Sequence, residues 1–222
     1  MTDPAVRPLA RRGFLLRLSS LAVALGLPGT ASASTRAVRV PGDEVDAWIQ
    51  ALHGKHKQIF HADNARDARA LAAMHAYLQG YARAYAVPER EVNAVLAAQG
   101  GTTMYLLGDG VWAKYALGAM AKVNDPRTQQ PSVRNTWRAG GDGEMLSAEM
   151  AIEGLQRRGT VFLVCENSLH AFATQLSSKT DIPIETVQAD LRAGLLPGVI
   201  VVPAMVIAVG RAQEHGFTYI ST

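Results

Sequence analysis

Short apolar runs alternate with segments of helical periodicity along the chain, and this alternation constrains the fold more than any other feature. Two runs, residues 160–164 and 199–202, are apolar toward both strand faces apart from one threonine. Such strands are typical of parallel sheets, which helices cover on both sides. The sequence therefore predicts one α/β domain with three α/β/α layers and a mostly parallel sheet in which both runs are fully buried.

The remaining segments follow the same alternation. At 222 residues, 48% of them hydrophobic, the chain is long enough for one domain with its own core. Prolines and turn residues between 124 and 143 predict a long irregular excursion. Periodicity and turn signals predict strands at 57–60, 92–98 and 217–220, the last at a sheet edge, and helices at 67–87, 145–158, 166–177, 184–191 and 204–214.

The first 33 residues have the pattern of an export signal. Arg11 and Arg12 form a twin-arginine pair, and the uncharged stretch 18–27 is too short to span a bilayer. The small residues at 31–33 suit a signal peptidase, so cleavage is predicted after Ala33. This pattern predicts Tat export to the periplasm with no membrane anchor in the mature protein. The alternatives are an ordinary Sec signal and a basic amphipathic start that stays attached.

The rest of the chain divides into a linker or N-terminal extension at 34–52 and the α/β domain at 53–222. The net charge of +3 lies in the signal, because residues 1–33 hold four arginines and one aspartate. The remainder then carries 18 basic and 18 acidic residues. A formally neutral domain is not drawn to phosphate by bulk charge, which argues against a nucleic-acid partner.

Cys165 is the single cysteine and lies between a predicted strand and a predicted helix. Unpaired N–H groups and the dipole at a helix amino terminus stabilise a thiolate, the form that attacks sulfur. We expect this thiol to be at least partly accessible. Glu166 would oppose its ionisation unless Lys114 or Arg134 offsets the charge. The alternative is a buried free cysteine that acts as a small hydrophobe.

The segment around the cysteine resembles the DsrE/DsrF-like sulfur-relay family, most of all its exported single-domain branch. The resemblance covers roughly residues 53 to 220 and rests on 155–159 with 161–169, supported by 55–60, 112–115, 196–199, 202–205 and 211–214. It implies a flavodoxin-like fold and assembly into homo-oligomers. It also implies that Cys165 carries sulfur as a persulfide between a sulfane-sulfur donor and an acceptor protein.

Five further residues are candidates for a pocket around the cysteine. Trp112, Lys114 and Tyr115 follow the second predicted strand, and two rings with one cation suit a small anion or polysulfide. Asn167 or Ser168 is a candidate helix cap, and Arg134 is a candidate partner for an anion or a neighbouring subunit. Alternatively, Trp112 and Tyr115 are core anchors of a short helix, and the domain binds a small ligand or partner protein while its cysteine only packs.

Other chemistries have little support in the sequence. His53, His56 and His61 lie within nine residues, a spacing that leaves a metal or haem site open but fixes no ligand geometry. The sequence contains neither a Gly-x-Gly-x-x-Gly nor a P-loop motif, and no Gly-x-Ser-x-Gly elbow. We therefore assign no metal and no nucleotide cofactor.

The export prediction is tested by replacing Arg11 and Arg12 with lysine. We expect the variant to stay in the cytoplasm, because the Tat pathway depends on the arginine pair. Cell fractionation of the variant and the parent measures this. Unchanged export would assign the Sec route instead.

Overall fold

A five-stranded, all-parallel sheet forms the centre of the computed structural model, which describes residues 42–63 and 67–222. Its spatial order is β4-β3-β2-β1-β5. Every neighbouring pair of strands runs in parallel, as predicted. The strands are β1 (His56–Ala62), β2 (Val92–Ala98), β3 (Val161–Cys165), β4 (Val199–Val202) and β5 (Thr218–Ser221).

Helices cover both faces of this sheet. They are α1 (Gly42–Val45), α2 (Ala47–Gln50), α3 (Arg69–Tyr85), α4 (Asp109–Lys114), α5 (Leu117–Ala121), α6 (Ile152–Arg157), α7 (Glu166–Thr180), α8 (Ile184–Ala193) and α9 (Met205–Glu214), with 3₁₀ helices at Glu89–Glu91 and Gly100–Leu106. The predicted three-layer α/β/α architecture is confirmed. The layers and strand number are flavodoxin-like, whereas the strand order differs from flavodoxin's own 2-1-3-4-5.

The core divides into two clusters, one on each face of the sheet. Because successive strand residues point to opposite faces, Phe60 and Phe162 join the cluster beneath α3 to α8. Their neighbours Ile59 and Leu163 join the other cluster, beneath α2 and α9. Strands β2 and β3 thus place buried side chains in both clusters, which explains their apolar runs.

The path of the chain reverses once between strands. From β1 to β4 each strand is added on the same side of the last one, so right-handed crossovers place α3 to α8 on one face. The chain then returns past β1 to form β5, which places α9 on the opposite face. The connections leaving β3 and β4 thus diverge to opposite faces, and ligands favour such a point in α/β sheets.

The segment 42–52 is packed onto the domain rather than extended as a linker. Trp48 and Ile49 of α2 are buried in the α9-side cluster with Leu52, and the Trp48 ring contacts the edge of Phe217. Asp46 accepts a hydrogen bond from the Arg211 guanidinium at 2.7 Å. The predicted signal and its cleavage site lie outside the described residues, and within these no helix is long and apolar enough to cross a membrane.

Two predicted elements were wrong in extent or burial. Strand β4 is half-exposed over Val199, Ile200 and Val201, because it lies at the sheet edge with β3 on one side only. Of the predicted helix 145–158, only Ile152–Arg157 is helical. The residues before it form turns, and their backbone makes hydrogen bonds with the backbone of the excursion. Strand β2 and the edge position of β5 are confirmed.

The excursion between α5 and α6 is irregular, as predicted, and ion pairs hold it together. Arg134 bonds Asp125 through Nε at 2.5 Å and bonds Glu144 through both terminal nitrogens at 2.9 and 3.0 Å. The hydrogen bond from Arg134 lowers the pKa of Asp125 from its ordinary 3.8 to about 2. Asn135 donates to the backbone oxygens of Tyr105 and Leu107, which ties the excursion to the core.

Replacing Asp125 with Asn should destabilise the protein by about 1 to 3 kcal/mol at pH 7, because it removes the charged partner of the part-buried Arg134 guanidinium. The amide oxygen can still accept from the backbone N–H groups of Arg127 and Thr128. Since the folded pKa is depressed, the carboxylate's contribution is present above about pH 4 and is lost as the pH falls toward 2.

Urea unfolding at pH 7 and at pH 2.5 measures this difference. Asp142→Asn is the matched control, because within the described residues the Asp142 carboxylate forms no ion pair. An equal loss of stability in both variants would contradict the role given to the Asp125–Arg134 pair.

Candidate functional site

Cys165 is the last residue of β3 and immediately precedes α7. It lies opposite Val202 in the parallel register, so it is at the point where the connections diverge. Its side chain follows Leu163 onto the α9 face and joins Met205 in the buried cluster there. Only 3% of the residue is exposed, so the expectation of an accessible thiol was wrong in degree.

A pocket of about 550 Å³ lies over the carboxyl ends of β2, β3 and β4, and Cys165 lines it. The polar residues of its wall are amides and a hydroxyl, and its apolar residues include three methionines. The side chains other than Cys165 that line it are Gln99, Met104, Met120, Ala121, Asn167, Ser168, Ala171, Phe172, Gln175, Ala204, Met205 and Val206. The little exposed surface of the cysteine therefore belongs to a cavity of small-ligand size.

Glycine at position 100 shapes the edge of this pocket. Gly100 has a φ of +58°, a left-handed conformation that favours glycine, and it begins the 3₁₀ turn after β2. Its N–H donates to the Ser168 hydroxyl at 3.2 Å, which joins this turn to the first turn of α7. The turn after β2 and the first turn of α7 are thus joined beside the cysteine.

Gln99 is a pocket residue that our sequence analysis did not identify. It follows β2 directly and lies one register step beyond the Ala98–Val164 pair, level with Cys165. Its Oε1 is 3.0 Å from Nε2 of His61, and its side chain also accepts from the Thr102 N–H. His61 in turn lies 3.0 Å from the Tyr219 hydroxyl through Nδ1. The sequence signal that could have identified Gln99 is its position at the carboxyl end of the predicted strand β2.

The charge beside the cysteine is compensated by a residue that the sequence did not suggest. Glu166 begins α7, and Arg192 of α8 pairs with its carboxylate at 2.5 Å. Helices α7 and α8 are consecutive and packed together, so this partner is close in space although 26 residues distant. Neither Lys114 nor Arg134 supplies the compensation we expected.

The predicted aromatic wall lies elsewhere, in the core beneath α3 to α8. Trp112 is fully buried and donates from Nε1 to the Met104 carbonyl at 2.9 Å. Lys114 pairs with Asp190 at 2.6 Å, and the buried Tyr115 hydroxyl donates to the same carboxylate. Burial and this hydrogen bond raise the pKa of Tyr115 to about 12. The core-anchor alternative is the correct one for both rings.

Of the other two candidates, Arg134 lies in the excursion and Asn167 lies in the pocket wall. Arg134 is committed to Asp125 and Glu144, so it does not line the pocket. Asn167 does line it, from an exposed position on α7, although neither it nor Ser168 caps the helix by a side-chain hydrogen bond. Cys165 itself occupies the N-cap position of α7.

The three early histidines serve different surroundings. His53 is exposed, His56 packs against the Tyr81 ring with ring centroids 4.2 Å apart, and His61 bonds Gln99 and Tyr219. Residues 42–63 and 67–222 contain no group of three or more His, Cys, Asp or Glu side chains placed to hold a metal ion.

Comparisons with known proteins find similarity to a solved structure and no match among family models or curated proteins. Among solved structures, it is similar to MTH1491, a protein of unknown function from Methanobacterium thermoautotrophicum. That likeness has 20% identity and a TM-score of 0.38 and covers 75% of this chain and 99% of the other.

The position of Cys165 predicts that its alkylation depends on the size of the reagent. A small reagent such as iodoacetamide fits a 550 Å³ pocket, so it should label the native protein. A maleimide carrying a polymer chain should label it at least about tenfold more slowly than it labels the urea-unfolded chain, because the folded wall excludes it. Intact-mass spectrometry measures both rates. Equal labelling by the bulky reagent before and after unfolding would contradict the buried position.

Proposed function

We propose that this protein is a periplasmic, DsrE-like sulfur carrier in which Cys165 holds a sulfane sulfur as a persulfide. One observation carries the proposal: the single cysteine lies at a strand end, at the start of a 15-residue helix and in the wall of a pocket. Residues 155–159 and 161–169, which resemble the sulfur-relay family, surround this position. Tat export rests on the pattern at 11–33.

The loading step needs no oxidant or cofactor. The Cys165 thiolate attacks the outer sulfur of a sulfane donor, a new S–S bond forms, and the donor's own S–S bond breaks. The electron pair of that bond leaves with the remainder of the donor, as sulfite from thiosulfate or as a polysulfide shorter by one sulfur. An acceptor thiolate then repeats the attack on the outer sulfur and returns Cys165 to its thiolate.

Burial of the cysteine is compatible with this role. A second sulfur bonded at about 2.05 Å extends the side chain beyond Sγ, and the pocket is the neighbouring space that can receive it. The reactive outer atom then occupies the pocket while Sγ stays among Leu163 and Met205. Such shielding would protect the persulfide from oxidation.

The second candidate function is a binding module that holds a small ligand or partner protein. The observation that favours it is the 3% exposure of Cys165, which suits a cysteine that only packs. In this case the same pocket binds a small molecule, and a ligand would raise the melting temperature without a covalent change.

Sulfur loading separates the two functions. After incubation with polysulfide, we expect mass increments of about 32 Da, one sulfur atom each, on the parent and none on Cys165→Ser. Dithiothreitol should remove the increment, and Ser178→Ala, the same substitution at an exposed position of α7 outside the pocket, should retain loading. An unmodified native parent would refute the carrier and leave the binding module.

The mature chain is also proposed to be a homo-oligomer. The family resemblance implies assembly, and the equal numbers of acids and bases beyond residue 33 give little mutual repulsion. Light scattering of the mature protein at micromolar concentration should give a mass of at least twice the subunit mass. A monomer under these conditions would contradict the prediction.

A further inference from the structure

The wall of the Cys165 pocket lacks charged side chains throughout the part of the chain that the structure describes. The nearest carboxylate in sequence, Glu166, is paired with Arg192 and does not line the pocket. A dianion entering this space would lose hydration without gaining a cation to replace it. The wall therefore favours a ligand with one negative charge or none.

The apolar part of the wall suits an organic ligand. Met104, Met120, Met205 and Phe172 supply thioethers and a ring, which are polarizable and adapt to soft atoms such as sulfur. A second pocket of about 410 Å³ shares Gln99 and Val206 with the first, so the two adjoin. Its wall includes Tyr219 and again holds no Asp, Glu, Lys or Arg.

Gln99, on the wall shared by the two pockets, offers a polar group of fixed orientation. Its side-chain oxygen already accepts from His61 and from the Thr102 N–H. These contacts assign Nε2–H to His61 and leave the amide –NH₂ of Gln99 without a hydrogen-bond acceptor among residues 42–63 and 67–222. An amide donor can bind a partly charged sulfur without the desolvation cost of a buried cation.

We propose that the sulfur donor of this site is an organic hydropersulfide, R–S–SH, rather than thiosulfate, and that Gln99 binds its sulfur end. The inference rests on the proposed carrier function. The Cys165 thiolate attacks the outer sulfur, Cys165–S–SH forms, and the donor's S–S electron pair leaves with R–S⁻. The apolar R group lies along the methionines and the adjoining pocket.

The test compares thiosulfate with benzyl hydropersulfide as donors to the full-length protein. Each loading rate on Cys165 is divided by the rate for the same chain unfolded in urea, which removes the donor's intrinsic reactivity. We expect the normalised rate for the hydropersulfide to exceed that for thiosulfate by about tenfold or more. Equal rates, or faster loading from thiosulfate, would overturn this inference while leaving the carrier function standing. Loading by neither donor would refute the carrier function and this inference with it.

A charge added to the wall tests the physical cause. Val206 lines both pockets and is 70% exposed, so Val206→Lys should fold normally and introduce a cation there. We expect it to raise the normalised thiosulfate rate severalfold. Val133→Lys is the matched control, the same substitution at an exposed valine outside both pockets, and it should leave the donor preference unchanged. The same rise in both variants, or in neither, would overturn the proposal.

Discussion

The reversal of the chain path between β4 and β5 is the constraint on which the candidate site depends. It sends the connection after β3 to one face of the sheet and the connection after β4 to the other. The space between these diverging connections becomes the pocket, and Cys165 occupies the strand end beside it. The alternation of strand side chains then turns the thiol toward α9 while α7 begins on the opposite side. Position and burial of the cysteine follow from one topological feature.

The sequence predicted what local pattern determines and missed what strand order determines. Strand β2 was predicted residue for residue, because its apolar run has strand length and lies between Pro88 and Gly100, which favours a strand over a buried helix. The burial of β4 was predicted wrongly, since an apolar run does not reveal that the strand lies at an edge. The sequence positions of Trp112 and Arg134 suggested a pocket. Trp112 instead packs in the core, and Arg134 holds the excursion together.

The residues that the sequence analysis missed are joined by contacts distant in sequence. His61 lies on β1 and Gln99 directly follows the adjacent strand β2, 38 residues later, and neither belongs to a motif. Arg192 meets Glu166 because α7 and α8 pack together. Such pairs depend on tertiary packing, whereas the choice of Cys165 as a candidate follows from its being the single cysteine and from its place between a predicted strand and a predicted helix. The cysteine was therefore predictable, and the amide and the charge pair around it were not.

The central claim is that the pocket receives the outer sulfur of a Cys165 persulfide. A crystal structure of the protein loaded with a sulfane donor, with anomalous sulfur data, tests this most directly. The account predicts a second sulfur bonded to Sγ, lying in the pocket within hydrogen-bond distance of the Gln99 amide. An unmodified Sγ in the core, with the pocket unchanged by the donor, would contradict the claim.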